Sequence, residues 1–228
     1  MRLSVSTNFD DGLLTALRGS AVTCVYGKLT RDVVGGGRPS LMLPEVDRAC
    51  LAAHVALAHR QGLEFNYLLN ASCLDNRELS EPLHSQILEL VDWLAEIRVD
   101  AVTVTLPFLI PLVRKRAPGI KIAVSSLAVV DTVDKARQLE RMGAHELTIY
   151  EDHNRNFELL KRFRRSLSCD LRLIATNSCR LSCSSRLAHT NANAHASQEG
   201  HISKGFLVDY SILECLGARL ARPVELLK

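Results

Sequence analysis

The chain lacks an apolar leader. Met1-Arg2-Leu3 runs directly into Asn8-Phe9-Asp10-Asp11, and no uninterrupted apolar stretch approaches the ~18 residues that a membrane span needs. This predicts a cytoplasmic protein without membrane insertion. A dominant charge is missing too: the net charge is +3 over 228 residues, and the basic residues are scattered, which argues against a nucleic-acid partner. Arg162-Phe163-Arg164-Arg165 and Arg114-Lys115-Arg116 read as solvated helix ends. Nor is there an even number of cysteines. Seven in a chain of cytosolic appearance argue against a disulfide framework and for thiols or metal ligands. Finally, Gly35-Gly36-Gly37-Arg38-Pro39 matches neither nucleotide-binding fingerprint and reads as a flexible loop.

What is present is an ordinary globular composition, 47% hydrophobic and 23% charged. Strand-like runs alternate with helical ones. Residues 2–7, 21–26, 64–70, 99–105, 120–125, 145–150 and 171–175 carry strand patterns. Between them, helices are predicted at 10–18, 44–61, 80–98, from 107 to about 116, 132–142 and 156–166. In the helix predicted over Pro44–Gln61, Val46, Cys50, Ala53 and Leu57 make the apolar stripe, which places Cys50 in the core. This βα alternation predicts one TIM-barrel-like α/β domain spanning 1–228, with a cysteine-bearing loop and a C-terminal helix (about 209–220) within 177–228. No convincing eighth strand is found, so the expected barrel is incomplete. His189, His195 and His201, six residues apart, do not share one helical face and are assigned to a mobile loop.

A barrel gathers its chemistry at the C-terminal ends of its strands. Tyr26, Asn70, Cys73, Ser125, Glu151, Asp152, Asn177 and Cys179 fall there or just beyond. Glu151, Asp152 and Arg155 are catalytic candidates, with helix capping as the other reading of Asp152. Tyr26 and Asn70 are substrate-binding candidates. Arg180 and Arg186 could hold a carboxylate or phosphate through bidentate hydrogen bonds. Cys179 and Cys183 lie in the loop after the seventh strand. If that loop winds helically, both sulfurs share one face, about 5–6 Å apart at Cβ, close enough to share a metal or cluster.

Around Cys179-Arg180-Leu181-Ser182-Cys183, Arg186 and His189, the sequence resembles the collagenase-like peptidases of family U32. Supporting features lie along the chain: Val25-Tyr26-Gly27, Phe65-Asn66-Tyr67-Leu68-Leu69-Asn70 with Cys73 and Glu78, Ser125-Ser126, Glu151-Asp152-His153-Asn154-Arg155, and Cys215 ahead of Pro223-Val224-Glu225-Leu226-Leu227. The family name implies proteolysis. The resemblance also covers branches that hydroxylate ubiquinone rings or RNA without dioxygen, with a four-cysteine [4Fe-4S] cluster and a prephenate-like oxygen donor. By position it implies Cys73, Cys179, Cys183 and Cys215 as cluster ligands. Oxygen-independent hydroxylation on an unidentified substrate is therefore the leading expectation. A zinc site using cysteine and His189 is the alternative metal centre. A U32-type peptidase, with Cys179 or Cys183 as nucleophile and His189 as base, is the alternative enzyme. A third possibility is a non-catalytic cluster-bearing subunit within a homo- or hetero-oligomer. Cys24 and Cys169 read as structural thiols.

Overall fold

The computed structural model describes residues 2–37, 44–176, 179 and 181–200. Seven strands, β1 (Leu3–Ser6), β2 (Val22–Gly27), β3 (Glu64–Leu69), β4 (Ala101–Val104), β5 (Lys121–Val124), β6 (Glu146–Thr148) and β7 (Asp170–Arg172), form one sheet in sequential order. Every pairing is parallel. The helices between them are α1 (Asp11–Leu17), α2 (Arg48–Arg60), α3 (Glu81–Glu96), α4 (Leu109–Arg116), α5 (Val133–Met142) and α6 (Phe157–Ser166), and α7 (Arg186–Ala196) follows β7. The result is the expected TIM-barrel-like sheet, curled into a half-barrel. Among the described residues no eighth strand joins β7 to β1, and the helix expected near 209–220 lies outside them.

The two faces of the sheet have different chemistry. Val25, Phe65, Tyr67, Leu69, Val102, Val104, Ile122, Val124 and Leu147 pack with helix residues such as Leu51, Ile87, Leu94, Leu109 and Phe163 into one continuous core. Each such aliphatic or aromatic side chain taken from water contributes roughly 1.5–3 kcal/mol. The alternate strand residues face the hollow of the sheet and are largely polar: Cys24, Asn66, Thr103, Glu146, Thr148 and Arg172. Curling brings the sheet's two edges within side-chain reach, since Arg2 beside β1 meets Asp170 of β7 at 2.5 Å.

Several helix starts follow from local capping. Asp10 accepts from Gly12 and Leu13 N–H, Asp47 from Cys50, Thr132 from Lys135 and Asn156 from Leu159. The Asp47 cap delays α2 to Arg48, four residues later than expected from the apolar pattern. It also corrects the expected stripe: the buried positions are Leu51, His54, Val55 and Ala58, and Cys50 is exposed. The arginine-rich stretches are helix ends, as expected. Arg116 pairs with Asp92, and Arg164 donates to the carbonyls of Leu167 and Cys169 beyond α6.

The residues after β7 depart most from expectation. The strand stops at Arg172 rather than continuing to Ala175, and His189 and His195 belong to α7 rather than to a mobile loop; His201 lies outside the described residues. Residues 181–185, on the far side of the cysteine-bearing loop, do not wind as a helix either. Ser182 adopts a left-handed backbone (φ 51°), and the helix begins only at Arg186.

Candidate functional site at the C-terminal mouth

Helix α7 places its two ends over different parts of the mouth. At its start, Arg186 reaches back to Glu151 beyond β6. Past its end, Gln198 donates to the Cys73 carbonyl (2.7 Å) and accepts from Arg77 (3.0 Å), and midway Asn191 accepts from Ser72 (2.7 Å). Eleven helical residues span about 16 Å, enough to lie across the C-terminal end of the sheet. Ala192 and Ala194 are buried and small, which lets the helix approach closely.

The glycine loop is part of the same construction and is not simply a flexible linker. Gly35 has φ +79°, and a Cβ there would stand 2.6 Å from the Ala194 carbonyl. Gly36 donates to Ser197 Oγ (2.8 Å) and Gly37 to Asn70 Oδ1 (3.1 Å). Beneath the loop, Lys28 and Asp32, each 2% exposed, form an ion pair at 3.0 Å, and Tyr67 donates to Asp32 at 2.6 Å. The same carboxylate accepts from Val34 and Gly35 N–H. Burial, with Asp32 adding to it, pushes the Tyr67 phenol well above its usual range. This network was not foreseen from sequence, because nothing local ties residue 67 to residue 32.

The chemically loaded part of the mouth is the turn after β6. Glu151 is 5% exposed and ion-paired to Arg186, whose guanidinium lies 4.7 Å over the Tyr150 ring. Burial opposes the Arg186 charge, but the hydrogen bond and charge of Glu151 outweigh it and hold the group above its ordinary range; Cys179 also interacts electrostatically with it. Burial raises the Tyr150 phenol, Asp152 and Glu151 add to that, and Arg186 opposes. His153 packs edge-on against Tyr150 at 5.8 Å. Asp152 accepts from Ser182 N–H (2.8 Å) in the cysteine loop, while Asn156 caps α6, so the capping reading of Asp152 is replaced by a bond across the mouth. Asn154 Nδ2 donates to the Ile174 carbonyl at 2.8 Å.

Polar atoms that are buried without a hydrogen-bond partner gather on this turn and the helix above it. Glu151 Oε2, Asp152 Oδ1, Asn154 Oδ1 and Arg186 Nη1 are all of this kind. An orphaned buried polar atom costs about 1–3 kcal/mol, so such a concentration marks a place where a polar ligand would be stabilised.

Of the sequence candidates, Glu151, Asp152, Arg186 and Cys179 come together here. His189 lies one turn along α7 from Arg186, and Arg155 is exposed on the rim. Tyr26, half-buried at the end of β2, is in register with Asn66 of β3, whereas Asn70 holds the glycine loop. Arg180 and Cys215 lie outside the described residues. Cys73 is half-buried; its sulfur accepts from Asp75 N–H at 3.4 Å. Among the described residues no group of three His, Cys, Asp or Glu side chains could hold a metal ion. Of the four cysteines expected as cluster ligands, Cys73, Cys179 and Cys183 lie among the described residues and Cys215 does not. Burial raises the Cys24 thiol and, with Glu140 beside it, pushes Cys169 up to about 12, in keeping with unreactive structural thiols.

Comparison with known proteins places this geometry in context. A sequence model of Peptidase family U32 matches residues 41–201. An uncharacterized protease of Methanocaldococcus jannaschii is 28% identical over 197 residues, covering 86% of this chain; the chain spans 57% of that relative's length. The solved structure of the U32 peptidase Mk0906 superposes with a TM-score of 0.76 at 24% identity, over 91% of this chain and 79% of that one. A D-psicose 3-epimerase is similar in fold alone, with a TM-score of 0.50 at 9% identity, over 85% of this chain and 80% of that one. Among the described residues, no helix is long and apolar enough to cross a membrane.

Proposed function

The chain belongs to peptidase family U32, and from that membership we propose that it is the catalytic half-barrel of an amide-cleaving enzyme whose reaction takes place beside β6. The observation that carries this reading is the buried Glu151–Arg186 pair, stacked over Tyr150 beside Cys179 at the C-terminal end of the sheet. A cysteine at this rim is a candidate nucleophile for attack on an amide carbonyl. Arg186 Nη1, buried without a partner, is a donor suited to the carbonyl oxygen as it gains charge. His153 against Tyr150 and His189 on α7 are the imidazoles of this rim that could carry the proton from thiol to leaving amine. Relatives named as proteases support the same class.

A second reading is favoured by one observation: Cys179 and Cys183 are both half-exposed on the rim loop between β7 and α7. Together with Cys215 and a fourth ligand they would hold a [4Fe-4S] cluster, whose redox chemistry would serve oxygen-independent hydroxylation. In that reading Arg180 and Arg186 would be the groups that hold a prephenate-like donor.

The deciding experiment purifies the protein without oxygen and follows both peptide hydrolysis and iron content in wild type, Cys179→Ala and Cys183→Ala. Amide cleavage that falls at least ~100-fold in Cys179→Ala, with no stoichiometric iron, supports the peptidase reading. About four irons and four sulfides per chain, lost in both variants, with no cleavage, would overturn it in favour of the cluster.

A further inference from the structure

The orphaned atoms of the β6 turn have a specific polarity. Three are acceptors, Glu151 Oε2, Asp152 Oδ1 and Asn154 Oδ1, and one is a donor, Arg186 Nη1. The orientation of Asn154 is fixed, because its Nδ2 already donates to the Ile174 carbonyl and leaves the oxygen as the unused end. Asp152 is likewise fixed by accepting from Ser182 N–H through its other oxygen. Two carboxylates against one guanidinium leave the group with surplus negative charge. Glu151 and most of Arg186 are buried and Asp152 and Asn154 are part-buried, while the four orphaned atoms themselves lie shielded beneath the rim.

Three acceptors with net negative charge match a group that carries three N–H donors and one positive charge, which is an ammonium. The lone donor beside them matches an oxygen close to that ammonium. An α-ammonium followed by a carbonyl is the N-terminus of a peptide. A dicarboxylate such as a prephenate-like anion would instead place like charges together. We infer that the Glu151–Asp152–Asn154 turn, with Arg186, is a subsite for the free amino terminus of a peptide, making the protein selective for substrates entered from their N-terminal end. This inference rests on the peptidase reading and narrows its substrate class. Glu151 and Asp152 are then substrate-holding groups, and the scissile carbonyl lies within reach of Cys179 rather than deep along an extended chain.

The test is calorimetric binding of Leu-Gly-Gly and of N-acetyl-Leu-Gly-Gly to the full chain, in wild type and in Asp152→Asn. The Asn side chain keeps an acceptor for Ser182 N–H while removing the charge, and circular dichroism checks that it folds. Acetylation is expected to weaken binding at least ~10-fold, and Asp152→Asn to weaken the free peptide by roughly the same factor without affecting the acetylated one. Equal binding of the two peptides, or binding of neither, overturns the ammonium subsite. Cleavage separates the two levels: equal hydrolysis of both peptides rejects the subsite but leaves the peptidase reading standing. Selective binding of the free amine without any hydrolysis keeps the subsite and rejects the peptidase.

Discussion

Thr7, His54 and Asp11 form a relay at the head of β1 that no catalytic assignment requires. His54 stands between the fully buried Thr7 hydroxyl and the largely exposed Asp11 carboxylate, 2.7 Å from the latter, with the Phe9 ring tilted against it at 5.1 Å. Because Thr7 cannot reach water, removal of its partner strands a buried hydroxyl. His54→Leu is expected to cost about 1–3 kcal/mol in urea unfolding, whereas Asp11→Asn, acting on an exposed group, should cost under ~1 kcal/mol. Similar losses for both would mean that the imidazole is held by Asp11 and not by burial. Glu140 shows the opposite chemistry in an exposed setting. Backbone N–H groups of Cys169 and Ser168 donate to it at 2.7 Å and hold its carboxyl below the usual range. A depressed carboxyl stabilises the fold above its unfolded value of about 4.3 and loses that contribution as pH falls through the lower folded value. Glu140→Gln should therefore be destabilised by less than ~1 kcal/mol at neutral pH and match wild type in strong acid.

At the scale of elements, the glycine loop and α7 behave as one unit. Gly35→Ala would place a methyl against the Ala194 carbonyl at a left-handed φ, so both space and backbone oppose it. A loss of about 1–3 kcal/mol is expected, with faster hydrogen exchange in α7 as the distinguishing sign. Exchange that stays unchanged in α7 would show the loop to be independent. The order of the strands was legible in the sequence because alternating βα patterns over short connections admit few topologies. The mouth residues Glu151, Asp152 and Cys179 followed from the barrel rule alone. What sequence could not supply was anything depending on α7. Its composition, Arg-Leu-Ala-His-Thr-Asn-Ala-Asn-Ala-His-Ala, has no apolar stripe of helical spacing, because it seats itself through alanines and hydrogen bonds rather than through large side chains. Missing that helix hid the Arg186–Glu151 pair, the Asp152–Ser182 bond and the packing of the glycines together. The misplacement of Cys50 had a different cause: a polar residue, His54, lies on the buried stripe of α2, which makes the phase of the pattern unreadable from hydrophobicity.

The hollow of the half-barrel sets the behaviour of the molecule as a whole. Its polar lining carries Glu146, paired to Arg172 at 2.7 Å and near Arg2, itself bound to Asp170 across the open seam. Burial raises the Glu146 carboxyl above its usual range, while Arg172 and Arg2 oppose the rise. A raised carboxyl binds its proton more tightly in the folded state. Its contribution to stability is therefore fully present below the unfolded value of about 4.3 and is lost as pH rises through the higher folded value. Ionised Glu146 is thus a burden at neutral pH, which the two arginines only partly relieve, and the burden falls where β7 and β1 face each other without a strand between them. Glu146→Gln should flatten the decline in stability as pH rises above about 4, and Arg172→Gln should steepen it, in urea unfolding at a series of pH values. If both variants follow the wild-type slope, the seam is wetter than its packing implies, and the two edges of the sheet are held together by the helix layer rather than by the charges between them.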